Sequence, residues 1–314
     1  MLRFRRLYSV AKSNKQLLDE FYEYYSTKKD LRPLIYRPRN ATVLRSMDLK
    51  DPVTNKPLQP RDPVRPLGKQ VLNGYIESLP EGSKELMDWV HKWCGVSLRK
   101  KTLFRYLSGS HLQTMLFSSL FRIGHFGHTL GLLHSYQGRI VAAGNTQAYN
   151  AEQYFNTAIA CSILRNSAKG LVDSGIALKK LRVNWAKTTT REIRTGLTWP
   201  LIEAYAHQQG IDATKITLAG VEKNVPIQLP KPEEDLTNYV SRNKYLYYIA
   251  RVIAEHSETC PNDITVFIQD YQKSLSSIQK QDDYESSIES MQQLLSHDKE
   301  QPEDQSEEQS EPQT

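Results

Sequence analysis

LQTMLFSSLFRIG, residues 112–124, carries apolar side chains at Leu112, Met115, Leu116, Leu120 and Ile123, the one-sided spacing of a helix that stops at Gly124. HFGHTLGLLHSYQGR (125–139) restarts the pattern with Phe126, Leu130, Leu132 and Leu133 and ends near Gly138. So short a joint forces the two helices to lie antiparallel. NAEQYFNTAIACSILRNS (150–167) and, after Ala168–Gly170, LVDSGIALKKLRVNWAK (171–187) repeat the arrangement. The stretch from Leu112 to Arg194 therefore predicts a mostly α fold of stacked antiparallel helical hairpins, solenoid-like, an architecture of scaffolds and RNA-binding arrays more often than of enzymes.

Outward from this stretch, helical spacing recurs at 15–29, at Ser83–Trp93 with Ser83 placed to start it, at Trp199–Gln209, and in LTNYVSRNKYLYYIARVIAEHSE and NDITVFIQDYQKSLSSIQK. Mean hydropathy is −0.57 and 39% of residues are apolar, so part of the 314-residue chain is expected to stay unpacked. No apolar run approaches the roughly 20 residues that span a bilayer. Cys94, Cys161 and Cys260 are odd in number and far apart, which fits a reducing compartment and neither a zinc knuckle nor a disulfide framework.

Charge divides the chain. Residues 282–314 hold eleven acids against Lys299, a net −10, so the overall +6 leaves +16 on residues 1–281. A body so basic repels itself unless a polyanion neutralises it, and nucleic acid is the usual one. The last stretch, QPEDQSEEQSEPQT, is low-complexity and acidic, and the whole of 282–314 reads as a disordered tail.

MLRFRRLYSVAKS opens the chain with three arginines, alternating apolar residues and no acid before Asp19, the composition of a mitochondrial presequence. Arg6-Leu7-Tyr8-Ser9 places cleavage after Tyr8, which would leave 1–8 as presequence and 9–30 as a short helical unit. The alternative is a basic arm that stays attached and touches RNA. From 31 to 67, seven prolines disfavour regular structure, and eight cations against three aspartates give a net +5. This segment is expected to run extended over an RNA surface ahead of a helical domain at 68–281.

Fourteen cations are the candidate RNA contacts. Arg32, Arg37, Arg39, Arg45, Arg61 and Arg65 belong to the extended segment; Arg99, Lys100, Lys101 and Arg105 cluster in SLRKKTLFRYL. Lys180, Lys187, Arg191 and Arg194 fall within about 60° on a helical wheel, although Thr188, Thr189 and Thr190 weaken a helix there. Arginine forks grip phosphates well, and such contacts position a protein on RNA without reading its sequence.

Positive signs of chemistry are missing. No phosphate loop, dinucleotide fingerprint, G-x-S-x-G elbow or H-E-x-x-H pattern occurs. His125, His128 and His134 have no acid or cysteine nearby to complete a metal site, so neither metal nor cofactor is expected. Gly124, Gly127 and Gly131 each cost a helix about 1 kcal/mol, which predicts close approach of another helix or of RNA.

The presequence-like start, the proline-and-arginine extension, the basic helical body and the acidic tail together resemble a fungal mitochondrial small-subunit ribosomal protein without a bacterial counterpart. FSSLFRIGHFGHTLGLLHS also resembles the paired helices of pentatricopeptide-type repeats, although units 112–136 and 150–187 differ in length and share no fixed residues. The resemblance implies a non-enzymatic protein of the mitochondrial matrix whose partners are mitochondrial rRNA and other ribosomal proteins, with no membrane span and no small-molecule substrate. A mitochondrial RNA-binding factor for translation activation or messenger-RNA stability is the alternative, and an enzyme or assembly chaperone using the histidine-bearing helix is a third.

Overall fold

The computed structural model describes residues 12–50 and 55–297. Its centre is α7 (Gly109–Ser118), of which every residue but the half-buried Ser110 is buried. The apolar spacing accounts for Leu112, Met115 and Leu116 but not for the polar residues between them, which are enclosed because each finds a partner. Gln113 Nε2 donates to Thr157 Oγ1 at 3.0 Å, and the Thr114 hydroxyl donates to the Ser110 carbonyl at 3.0 Å. The Ser108 N–H donates to His111 Nδ1 at 3.2 Å, so the ring is neutral and its Nε2–H donates to the Lys69 carbonyl at 2.9 Å. Burial pushes the His111 pKa down, in keeping with that neutral form. Gly109 admits a close approach: a Cβ there would lie 2.1 Å from Asn150 Nδ2 and 2.4 Å from Gln153 Oε1, so both side chains would have to shift.

After α7 the chain makes a π-helical turn, Ser119–Ile123, and breaks at Gly124 (φ 88°) before α8 (Phe126–Ala142). The break falls where the sequence places it, whereas α8 runs on past Gly138. Against α7 pack α4 (Lys69–Glu77), α8, α9 (Asn156–Lys169) and a second π turn, Ala151–Phe155, which leads into α9. A first layer outside them comprises α1 (Asn14–Ser26) on α4, α5 (Glu85–Cys94) on α8, and α6 (Lys101–Tyr106) between α1 and α5. On the other side α11 (Thr198–Gln208) lies between α9 and α12 (Leu236–His256), and α13 (Asn262–Ser277) folds back along α12. The second predicted hairpin is splayed: α10 (Ser174–Lys187) leans on the 151–155 turn through Phe155 and Trp185, whose rings are 4.9 Å apart, rather than along α9. The fold is mostly α, with no strand among the described residues and isolated bridges at Lys50–Pro57 and Asn150–Thr190.

Three local expectations are corrected. Residues 31–67 are not wholly extended, because α2 (Arg32–Tyr36) and α3 (Ala41–Ser46) form within them. Pro33 sits in the first turn of α2, where its missing N–H costs nothing. Ile35, Tyr36 and Leu44 then bury one another in a small cluster separate from the main core.

Residues 282–297 are not tail. Tyr284, Ile288, Met291 and Leu295 recur at helical spacing and form α14 (Tyr284–His297), with Tyr284 0% and Met291 1% exposed. Three of the counted acids are partners of the body: Asp283 accepts from the Tyr248 hydroxyl at 2.7 Å and pairs with Lys244, Asp282 accepts from the Tyr247 hydroxyl, and Glu285 pairs with Arg251. The remainder of the acidic segment, 298–314, and the expected presequence at 1–8 lie outside the described residues.

The helix glycines do not admit another helix of this chain. Among the described residues no heavy atom of another element lies within 4 Å of a Cβ placed at Gly124 or Gly131, and Gly127 meets only Arg165 Nη1, at 3.7 Å. The role of Gly124 is its left-handed backbone.

Candidate nucleic-acid interface

The structure divides the basic residues into two groups. One group turns inward to the carbonyls at helix ends, which the last turn leaves unpaired and where the helix dipole favours a cation. Arg122 donates to the Ile76 and Leu79 carbonyls at the end of α4, and Arg139 donates to the Cys94 and Val96 carbonyls at the end of α5, at 3.1 and 2.8 Å. Arg32 and Lys100 converge on α1. Arg32 Nη2 donates to the Tyr25 carbonyl at 2.7 Å and its Nε to the Thr27 carbonyl at 3.2 Å, while Lys100 Nζ donates to the Ser26 and Thr27 carbonyls at 2.7 and 3.0 Å. Arg32 also lies over the Tyr24 and Tyr25 rings, 5.0 and 5.2 Å from their centroids. Burial, and then the nearby Arg32 guanidinium, lower the Lys100 pKa.

Of the fourteen predicted contacts, four more have internal partners. Arg61 pairs with Glu23, and Arg194 pairs with Glu192 at 3.1 Å. Lys187 Nζ donates to the His134 carbonyl at 3.1 Å. Arg191 reaches the Ala219 and Trp185 carbonyls at 3.2 and 3.4 Å and covers the Trp185 ring. The predicted face of four cations does not form, because α10 ends at Lys187 and the three threonines take an irregular path. Eight remain exposed without a hydrogen-bond or ion-pair partner among the described residues: Arg37, Arg39, Arg45, Arg65, Arg99, Lys101, Arg105 and Lys180.

The first four belong to a small lobe formed by residues 31–50 and 55–67. Its interior is Ile35, Tyr36 and Leu44, with Tyr24, Leu31, Leu34, Leu49, Leu58 and Val64 packed around them. Arg61 N–H donates to the Ile35 carbonyl at 2.8 Å, and Asn40 Nδ2 donates to the Pro33 carbonyl at 2.8 Å, so the prolines are braced from inside. Arg37 precedes the turn at Pro38–Asn40 and Arg39 is its middle residue, and Arg45 stands on the outer side of α3. Because Arg32 and Lys100 share the Thr27 carbonyl, the start of this lobe and the Arg99–Lys101 corner are adjacent. Exposed Lys28 and Lys29 lie at the same corner. Sequence reading missed these two lysines, although the run Lys28-Lys29 just past α1 was a signal for them.

A polar cleft of about 400 Å³ between the 151–155 turn and α12 contains Glu152, Glu192, Arg194 and Arg242, but these charges are matched internally. Glu152 accepts from the Arg194 and Thr195 backbone N–H groups at 2.7 and 3.0 Å, and Arg242 lies 3.6 Å from Glu233. His125 adopts a left-handed backbone (φ 60°) at the start of α8 with its ring 6.1 Å from that of His128, and His134 contacts Asn184 Oδ1 at 3.2 Å. No three His, Cys, Asp or Glu side chains are grouped as a metal site among the described residues. No helix among them is long and apolar enough to cross a membrane.

Comparison with known families gives two matches that together span nearly all of the chain. A model described as the MRP13-like N-terminal domain matches residues 6–78, covering α1 to α4 and the arginine lobe. A model described as the MRP13-like C-terminal domain matches residues 83–306, covering α5 to α14.

Proposed function

Since the chain belongs to the MRP13-like family of mitochondrial ribosomal proteins, we propose that it is a structural component of the small subunit, in the mitochondrial matrix, and that it holds rRNA through the arginine lobe and the adjoining α6 corner. Family membership supports the structural role and the mitochondrial setting. The observation that supports RNA as the partner is the lobe itself: its inner contacts are apolar and backbone, while Arg37, Arg39, Arg45 and Arg65 face outward with no acid partnered to them among the described residues. Phosphates satisfy guanidinium forks in that arrangement, and the Arg32–Lys100 junction fixes the lobe's place on the helical body.

Lys101, Arg99 and Arg105 extend the phosphate-binding surface across α6. Lys180 lies apart from them on α10. No step of chemistry is assigned to any residue, and residues 1–8 serve as the import presequence.

The test is quantitative mass spectrometry across a sucrose gradient of mitochondrial lysate at low and high salt, combined with ultraviolet cross-linking of RNA. Stoichiometric, salt-resistant migration with the small subunit, and rRNA cross-links within residues 37–65, are expected. Migration with the large subunit would overturn the small-subunit assignment. Release at high salt would instead favour a factor that acts on messenger RNA.

A further inference from the structure

The outer face of α10 and the turn before it carry a feature that RNA binding does not use. Leu171, Val172, Ile176 and Val183 are 47%, 69%, 52% and 39% exposed, half of the large exposed apolar side chains among the described residues. Ile176, Lys179, Lys180 and Val183 fall within about 100° of arc at 100° per residue, opposite the face that buries Ala177, Leu181 and Trp185. Between Glu152 and Glu192, Asp173 is the only acid among seven cations, and its carboxylate accepts from the Ile176 N–H at 2.9 Å as the cap of α10. Lys179, Lys180 and Arg182 have no partner among the described residues. Gly170 (φ 62°) closes α9 in a left-handed cap and turns Leu171 and Val172 outward ahead of α10.

We infer that this face docks an acidic amphipathic segment of another protein in the mitochondrial ribosome. The mixture of groups selects that occupant. RNA phosphates satisfy the lysines but offer nothing apolar to Val172 and Ile176. Residues 298–314 of this chain carry seven acids and no large apolar side chain, so they leave the same residues uncovered. A second copy paired about a two-fold axis sets the lysines against themselves, which repels. An acidic segment with apolar residues at helical spacing meets both requirements, in the helix-on-groove manner of many protein contacts. The inference rests on membership of the ribosomal family and not on the arginine-lobe contacts.

The experiment places a photo-cross-linking benzoylphenylalanine at position 176, and separately at 172, in the full chain within purified mitochondrial ribosomal particles, and identifies the products by mass spectrometry. Both positions are expected to join one protein segment of net negative charge with apolar residues three and four apart. The double change Val172→Asp with Ile176→Asp, read from a probe at 183, is expected to lower that product at least tenfold; both side chains are exposed, so the fold is retained. Cross-links to rRNA, to a second copy, to residues 298–314 or to a basic segment, or no protein cross-link at all, would overturn the inference. A parallel probe at position 37 reads the RNA contact of the lobe by itself, so failure of one proposal is distinguished from failure of the other.

Discussion

The α7 core and the arginine lobe are built from opposite balances of the same forces. Along α7 all but Ser110 are buried, Phe117 stacks on Phe121 and Tyr245 at 5.6 and 5.0 Å and meets Tyr248 edge-on, and His111, Gln113 and Thr114 each have a hydrogen-bond partner. In the lobe three of the described residues are buried, and Arg37, Arg39, Arg45 and Arg65 stand exposed without a partner among the described residues. Each large apolar side chain fully buried is worth about 1.5–3 kcal/mol, so the core is stabilised by its own contents, whereas the lobe has little apolar area to set against its self-repulsion. The difference teaches which part needs a partner: the lobe is complete in shape but not in charge.

Phe117→Ala is expected to show the largest effect, a loss of about 3–5 kcal/mol measured by urea unfolding of the whole chain. A loss confined to α7, with the lobe and α12 unaffected, would show that the helices do not unfold as one body. Leu44→Ala should cost about 2–3 kcal/mol but locally: hydrogen exchange is expected to rise across 31–50 while α7 stays protected. If α7 exchanges in step, the two regions are one cooperative unit and the contrast fails.

A smaller effect concerns pH. Burial lowers the pKa of His111, and likewise those of His134 and His256. The unfolded chain takes up protons near pH 6.5 that the folded chain refuses, so the stability these groups contribute is full above about pH 6.5 and is lost as pH falls through their folded values. The urea midpoint should therefore fall on acidification from pH 7.5 to 5.5. His111→Gln, which keeps one acceptor and one donor, should flatten that fall, and an unchanged slope would place the proton uptake elsewhere. Smallest in stability is the triple change of Arg37, Arg39 and Arg45 to Ala, expected to stay within about 0.5 kcal/mol of the parent in the same melt. Its RNA affinity should nonetheless fall, with a shallower dependence on salt by roughly 0.7–0.9 for each phosphate contact removed. A stability loss of several kcal/mol would mean that the arginines hold the lobe together rather than its partner.

Helical spacing made most of the fold readable in advance, since Leu112, Met115 and Leu116, or Leu181 and Trp185, do face the interior. Where reading failed, composition had masked periodicity. Proline density hid α2 and α3, and acid density hid the Tyr284–Leu295 stripe of α14. The interface was less legible for a related reason. A cation in sequence does not reveal whether an unpaired carbonyl lies within its reach, and Arg32, Lys100 and Arg191 are held by helix ends brought near them by the fold. Lys100 and Lys101 are neighbours in sequence, yet one is bonded inward and the other exposed.

The Arg32–Lys100 junction also sets an order of assembly. Arg32 reaches carbonyls only 5 and 7 positions earlier, whereas Lys100 closes on carbonyls 73 and 74 positions earlier in the chain. The lobe's local hold on α1 can therefore form first, and its hold on the helical body only once α6 has folded beside α1. Owning positive charge and presenting it in a fixed pattern are thus separate steps of folding.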